Sequence, residues 1–411
     1  MCKFNILFKL SIYYLLLPIL LTLSGCNGGG SENVLRTDYV APLTPPANIS
    51  YMSVNVSANN TGVCSWYNMP CVSVQICDTS NPTICATVDN VLLDTGSYGL
   101  RVFASALPPS FVQQNLHQIL NSSNQPIAEI VNYGDGDCNW GPVVSGLIKM
   151  DATDITSSIP LQLVDSSYLN NPFGCSTNPQ EFGSNGILGV GPYPDDSSTG
   201  QYYIYNGQSG NLPYSPIESQ VVKNPVAYLS NLTSTSRNGI TIALPQIGNY
   251  GGYNAVGYMT FGVNSPIVNS HIYPISPQGI LPITMPTSVN ELANIQYGFL
   301  DTGSNGLFFI TSTLASYVCN GWYCPPETLN FNATNLDVGN VPVPTEFSII
   351  NAYTLFNTTN NNAASNLGGR IDDPEFTPFI DYGLPFFFGK QVQICFDGST
   401  CNGIAGPYWS F

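Results

Sequence analysis

Val91-Leu92-Leu93-Asp94-Thr95-Gly96-Ser97-Tyr98-Gly99-Leu100 drives an apolar run into Asp-Thr-Gly-Ser and leaves through a second apolar run. The arrangement returns 207 residues later as Phe299-Leu300-Asp301-Thr302-Gly303-Ser304-Asn305-Gly306-Leu307. Residues 91–107 and 298–314 agree at nine of seventeen positions, among them Leu93/Leu300, Gly99/Gly306, Ser105/Ser312 and Leu107/Leu314. A specified tetrapeptide arises by chance in a chain of this length less than about 1% of the time. Two copies in matched flanks imply an internal duplication.

Each segment has its own physics. A buried strand ends in a carboxylate, with Thr and Ser hydroxyls close by in sequence, and the intervening glycine lets the backbone turn tightly and approach a neighbour. If the two loops meet about a pseudo-twofold axis, Asp94 and Asp301 face each other at short range. Two carboxylates in one site cannot both ionise easily, so the pair holds a single proton. Such a dyad can activate water as a base and protonate a leaving amine as an acid.

Both segments resemble the active-site loops of the pepsin-like aspartic proteases, in which apolar residues precede Asp-Thr-Gly-Ser/Thr. More narrowly, the chain is similar to a poorly characterised bacterial family of exported proteins with a Leu-Asp-Thr/Ser-Gly-Ser loop in each half. The resemblance implies an all-β, bilobal fold with a first lobe over 51–236 and a second over 237–411. It implies that Asp94 and Asp301 are catalytic and that Ser97 and Ser304 hydrogen-bond their outer oxygens. Thr95 and Thr302 would tie the loops together, and Gly96 and Gly303 would complete them. Ile130-Val131-Asn132-Tyr133-Gly134-Asp135-Gly136-Asp137, 39 residues after Asp94 at its tyrosine, resembles the flap hairpin over the cleft, with Tyr133 as the flap tyrosine. A plain hairpin turn is the alternative. Where the family often has Leu-Trp-Val, this chain has Leu100-Arg101-Val102. Arg101 is therefore expected near the dyad, paired with Asp135 or Asp137, or else turned to solvent or to a remote carboxylate. Gly186-Ile187-Leu188-Gly189-Val190-Gly191 resembles the apolar segment packed beside each catalytic loop, and Leu384 to Gly389 is expected to be its counterpart.

Composition agrees with this reading. The chain has 38 Gly and 32 Pro and only 8% charged residues, with short apolar runs broken by turn residues, as expected of an all-β protein. Nine Lys and Arg against twenty-five Asp and Glu leave no electrostatic footprint for nucleic acid. Lys3 and Lys9 followed by the apolar run Leu10 to Leu23 make residues 1–25 a signal peptide. Leu23-Ser24-Gly25-Cys26 resembles a lipobox, with Cys26 lipidated and residues 26–50 a tether from the outer membrane. An ordinary cleaved signal is the alternative.

The remaining ten cysteines fall as close neighbours: Cys64 with Cys71, Cys77 with Cys85, Cys138 with Cys175, Cys319 with Cys324, and Cys395 with Cys401. In an exported chain an even set reads as disulfides, and neighbour pairing is the simplest of the open connectivities. No Cys-x-x-Cys occurs and His117 and His271 stand alone, so neither a metal nor another cofactor is expected. Val72–Cys77 and Ile84–Leu93 read as two strands around the turn 78–82. Ala104–Leu120 is the best helical stretch of this half, broken at Pro108 and Pro109. Residues 192–225 read as loop, with Asp195-Asp196 a solvated turn or a calcium site. Val226–Phe261 should enter a six-stranded sheet between the lobes, and 357–366 should be a mobile loop. The activity implied is that of a monomeric aspartic endopeptidase acting on extended peptide or protein. A non-catalytic surface-binding or inhibitory module is the competing class, and the two intact loops favour catalysis.

Overall fold

The computed structural model describes residues 39–411 except 57–61, 135, 152–153, 166, 177, 206–209, 231–236, 269, 279–280, 290–294, 358–361 and 372–377. The signal peptide, Cys26, most of the tether, Asp135 and the expected boundary at 236 lie outside the described residues.

The fold is all-β. One sheet holds sixteen strands and another ten, with a small two-stranded ribbon beside them. Local sequence sets two kinds of strand. Tyr51–Val56 and Leu329–Leu336 alternate, burying Met52, Val54 and Val56 in one case and Phe331, Ala333 and Asn335 in the other. Alternation at period two leaves one face for solvent. Tyr98–Phe103, Gly186–Val190 and Phe379–Gly383 are buried at every position. Continuous burial marks strands covered on both faces, and these are the strands that flank the Asp-Thr-Gly-Ser loops. One large core cluster runs through both loops, taking in Leu93, Leu100, Leu300, Leu307 and Phe308.

The predicted pair of strands before Asp94 forms as Pro70–Cys77 against Cys85–Asp94, antiparallel, with Asp78 capping the turn by accepting from Ser80 N and Asn81 N. The helical stretch is a single 3-10 turn, Ala104–Ala106, and a short helix, Pro109–Asn115, which starts at the second proline. Proline is tolerated there because the first turn has no partner for its amide. Gly239–Ala243 and Ala255–Phe261 lie in a run of six strands ordered Tyr51–Val56, Ala255–Phe261, Gly239–Ala243, Gln391–Cys395, Tyr408–Ser410, Ile272–Pro274. The first and last parts of the chain are thus hydrogen-bonded into one sheet.

Two loop expectations are corrected. Within 192–225, Gln201–Tyr205 and Asn211–Tyr214 are strands that extend the sheet outward from Ile127–Asn132. Short tyrosine-rich strands interrupted by glycine carry too little apolar periodicity to be seen in sequence. Of the expected mobile loop 357–366, residues 358–361 lie outside the described residues; at its end Ala363, Ala364 and Asn366 are buried, and Ala363 exchanges backbone hydrogen bonds with Gly252.

All five expected disulfides are present between neighbours. Cys64 is bonded to Cys71, Cys77 to Cys85, Cys138 to Cys175, Cys319 to Cys324, and Cys395 to Cys401. Three of them are core elements: Cys64 and Cys71 are buried with Met69 and Leu92, Cys138 and Cys175 with Ile130 and Trp140, and Cys395 and Cys401 with Val263 and Tyr408. Five disulfides place the protein in an oxidising compartment, hence outside the cytosol. No described helix is long and apolar enough to cross a membrane.

Candidate active site

Cys85–Asp94 and Tyr297–Asp301 each end on their aspartate, so a rigid strand aims each carboxylate. The loop that follows then holds it. Gly96 N donates to Asp94 Oδ1 at 2.8 Å and Ser97 Oγ to Oδ2 at 2.5 Å. Gly303 N donates to Asp301 Oδ1 at 2.7 Å and Ser304 Oγ to Oδ2 at 2.9 Å. Each oxygen thus receives one donor from its own loop.

The loops also grip each other. Thr95 N donates to Thr302 Oγ1 and Thr302 N to Thr95 Oγ1, both at 3.0 Å. The same hydroxyls donate onward across the gap, Thr95 to Leu300 O at 3.0 Å and Thr302 to Leu93 O at 2.7 Å. Four buried bonds therefore fix one loop against the other. Glycine is required at the next position in each, because a Cβ on Gly96 would meet Asp301 Cγ at 2.6 Å and one on Gly303 would meet Asp94 Oδ1 at 2.7 Å. The two carboxylates lie together, each against the glycine of the opposite loop.

Asp94 is 0% and Asp301 1% exposed. Burial, then the charge of Asp94, push the Asp301 carboxyl up to about 7, and a hydrogen bond between the two side chains adds to the rise. The pair holds one proton over a wide range of pH, as two adjoining carboxylates must.

A third strand backs each loop. Cys85–Asp94 runs parallel to Gly186–Val190 with Asp94 opposite Gly189. Tyr297–Asp301 runs parallel to Phe379–Gly383 with Asp301 opposite Gly383. The counterpart of Gly189 is therefore Gly383, and the expectation of Leu384 to Gly389 is corrected: Leu384–Phe387 is a helical turn and Gly389 a bend with φ 76° beside Gln246. Both stretches are apolar and end in glycine, so sequence alone could not separate them. Gly383 is needed because its Cβ would come 2.1 Å from Gly306 O.

Tyr133 and Gly134 sit where Ile127–Asn132 hands over to Cys138–Lys149, an antiparallel pair. Tyr133 Oη donates to Asn139 Oδ1 at 2.6 Å, and its ring packs against Phe182 at 5.7 Å between centroids. Burial first, with the charge of Asp94 contributing, pushes its phenol well above the usual range. Asn139 and Phe182 thus support the tyrosine. The Cys138–Cys175 disulfide holds this hairpin next to its turn, where Cys138 pairs with Asn132.

Arg101 is 1% exposed and does not reach the hairpin tip: its Nη2 donates to Glu129 Oε1 at 2.8 Å and to Asp196 Oδ2. Asp137 is not among its partners, and Asp135 lies outside the described residues. Burial pulls the guanidinium pKa down, but the charges of Glu129 and Asp196 outweigh it and the net direction is up. Burial, then the charge of Glu129, lift Asp196 well above the carboxylate range against the pull of Arg101. Tyr202 Oη donates to Asp196 Oδ1 and accepts from Val222 N at 2.9 Å. Asp195-Asp196 is therefore no solvated turn, since Asp196 is wholly buried and Asp195 pairs with Lys223 at 2.9 Å. Glu129 belongs to the strand that leads to Tyr133, so Arg101 ties the sheet behind Asp94 to the hairpin.

Sequence reasoning missed three further residues. Asn68 is buried and binds the second loop from the first half of the chain, donating to Asn305 O at 2.8 Å and accepting from Ala364 N at 2.7 Å. Asn139 was one asparagine among many. Asp381, in Phe379-Ile380-Asp381-Tyr382-Gly383, is fully buried beside the second loop; a lone acid inside an apolar run was its only signal. Among the described residues no three His, Cys, Asp or Glu side chains converge as a metal site would need. His117 is exposed, and His271 pairs with Asp337 at 3.3 Å.

None of the curated proteins matches the chain. Residues 46–411 match a family described as proteins of unknown function, DUF3443, so this chain belongs to that family.

Proposed function

We propose that this protein is an aspartic-type endopeptidase with a duplicated, bilobal, pepsin-like fold, exported and held at the outer membrane by a lipid on Cys26. One observation carries the reading. Two buried carboxylates, each fixed by its own Gly N–H and Ser hydroxyl, lie together behind loops locked by reciprocal threonine bonds.

In the mechanism this supports, Asp301 carries the shared proton and Asp94 acts as the base. A water between them attacks the scissile carbonyl as its proton passes to Asp94. Asp301 hydrogen-bonds the developing gem-diol oxygen, and the proton on Asp94 goes to the departing amine. Attack by water leaves no covalent enzyme intermediate. The loops contribute chiefly by holding both carboxylates in place before substrate arrives, so little reorganisation is needed at reaction. An extended peptide pairs its backbone with the hairpin carrying Tyr133, in the manner of strand addition. Because the dyad is nearly sealed, that hairpin must lift to admit it.

The test is incubation of the purified protein with an unfolded protein substrate from acid to neutral pH, with and without pepstatin. Pepstatin-sensitive cleavage is expected. A folded protein that cleaves nothing over this range would overturn the reading and leave the binding module in its place.

A further inference from the structure

Asp381 has no role in the dyad chemistry above. It is 0% exposed, and neither carboxyl oxygen makes a hydrogen bond of ordinary geometry. Its strand runs parallel to Tyr297–Asp301, with Asp381 opposite Phe299 and Gly383 opposite Asp301. Opposed residues and residues two apart share a face of a sheet. Asp381 therefore lies on the same face as Asp301, one pleat back on the next strand, with the Cα atoms about 8 Å apart by ordinary strand spacing.

Its neighbours determine its charge state. On Tyr297–Asp301 the titratable residues of that face are Asp301 and Tyr297; Leu307–Phe308 and the turn Leu384–Phe387 offer none. Across the loops stands Asp94, whose charge also acts on it. No cation faces it from these elements. Ser304 has one hydroxyl proton, and that proton is committed to Asp301 Oδ2 at 2.9 Å. Ser304 can therefore only accept from Asp381. An ionised Asp381 would meet a lone pair and two carboxylates, whereas a neutral one has a proton to give. Burial, then the charge of Asp301, hold its pKa well above the usual range.

The geometry points to Asp381 as a positioning residue: a permanently neutral carboxylic acid that directs its proton at Ser304 Oγ and so strengthens the bond from Ser304 to Asp301. Its effect on the dyad rests on the peptidase reading; its charge state does not. The test therefore has two arms on the full chain. In aspartate-labelled protein at neutral pH, the infrared band of protonated carboxyls in the Asp94→Asn/Asp301→Asn protein should lose one component when Asp381→Asn is added, leaving the component of Asp196. A band that Asp381→Asn leaves unchanged would overturn the proposal, whatever the activity. In the activity arm, Asp381→Ile should move the alkaline limb of kcat/KM, where Asp301 loses its proton, up by about 0.5–1 pH unit, while Asp381→Asn, which keeps a donor, should leave it in place. A downward move in both variants is the signature of an ionised Asp381 and would overturn the proposal.

Discussion

Behind Asp94 the sheet carries Arg101 opposite Ile187; behind Asp301, at the matching positions, it carries Phe308 opposite Asp381. Around the carboxylates themselves the two loops match bond for bond. One pleat further back the first has a buried cation with two acids across it, and the second a buried acid among aromatic rings. Repeated loops thus hold two chemically identical groups in different fields. Such asymmetry lets one member of a pair of like carboxylates act as acid and the other as base.

The largest effect that should break this comparison comes from the Arg101 side. Arg101→Leu leaves Glu129 and Asp196 facing each other without their cation, and removing one partner of a buried ionic cluster costs about 3–5 kcal/mol. Denaturant unfolding at neutral pH should show that loss. Arg101→Trp should lose comparable stability, because the arginine fills an ionic site that an indole cannot. Phe308→Leu at the matching position should cost only about 1 kcal/mol.

The disulfides give the next contrast. Cys138–Cys175 closes 37 residues from the turn end of the hairpin, and Cys319–Cys324 closes 5 in the second half. On loop-closure entropy, replacing the first pair by serines should cost about 4 kcal/mol and the second about 2. Equal losses in thermal unfolding would argue against a special stake in the hairpin.

The threonine bonds should behave alike. Thr95→Val and Thr302→Val each strip an acceptor from a buried amide of the opposite loop, at about 1–3 kcal/mol. The double variant should cost less than the two singles together, since both belong to one network. Strict additivity in a double-mutant cycle would mean the loops are not coupled.

The pH dependence of stability gives a separate test. Asp301, Asp196 and Asp381 all have raised pKa values in the folded state. Their contribution is fully present below the ordinary aspartate value of 3.8 and is lost as pH rises through the folded value, about 7 for Asp301. Asp195, which burial raises but hydrogen bonds from Ser197 and then Lys223 hold below the usual range, works the other way and loses its contribution in stronger acid. Tm should therefore peak near pH 4 and fall towards neutrality, each raised carboxyl adding a slope of about 1.4 kcal/mol per pH unit. Asp381→Asn should flatten that fall. A Tm that rises from pH 4 to 7 would contradict the assigned directions.

Much of this was legible because it is local. The strand into Asp94, the two glycine-bearing loops and four of the five cysteine pairs are each set by residues within a few positions of one another. What escaped depends on long-range pairing. Arg101 finds its partners 28 and 95 residues away, and no local pattern ties them. Gly383 and Gly389 end similar apolar runs, and only strand register tells them apart. Asp381 looked like an interruption in a core strand, and its position behind Asp301 follows from the parallel pairing alone.

The central claim is that Asp94 and Asp301 act as one catalytic unit. The most direct measurement is cleavage of an unfolded protein by the parent, Asp94→Asn and Asp301→Asn proteins, each checked for native circular dichroism. Both single variants should fall by about 10²-fold or more, to the same residual level, because losing either acid/base partner disables the pair. A folded single variant that keeps more than about 10% of the parent activity would contradict the shared dyad.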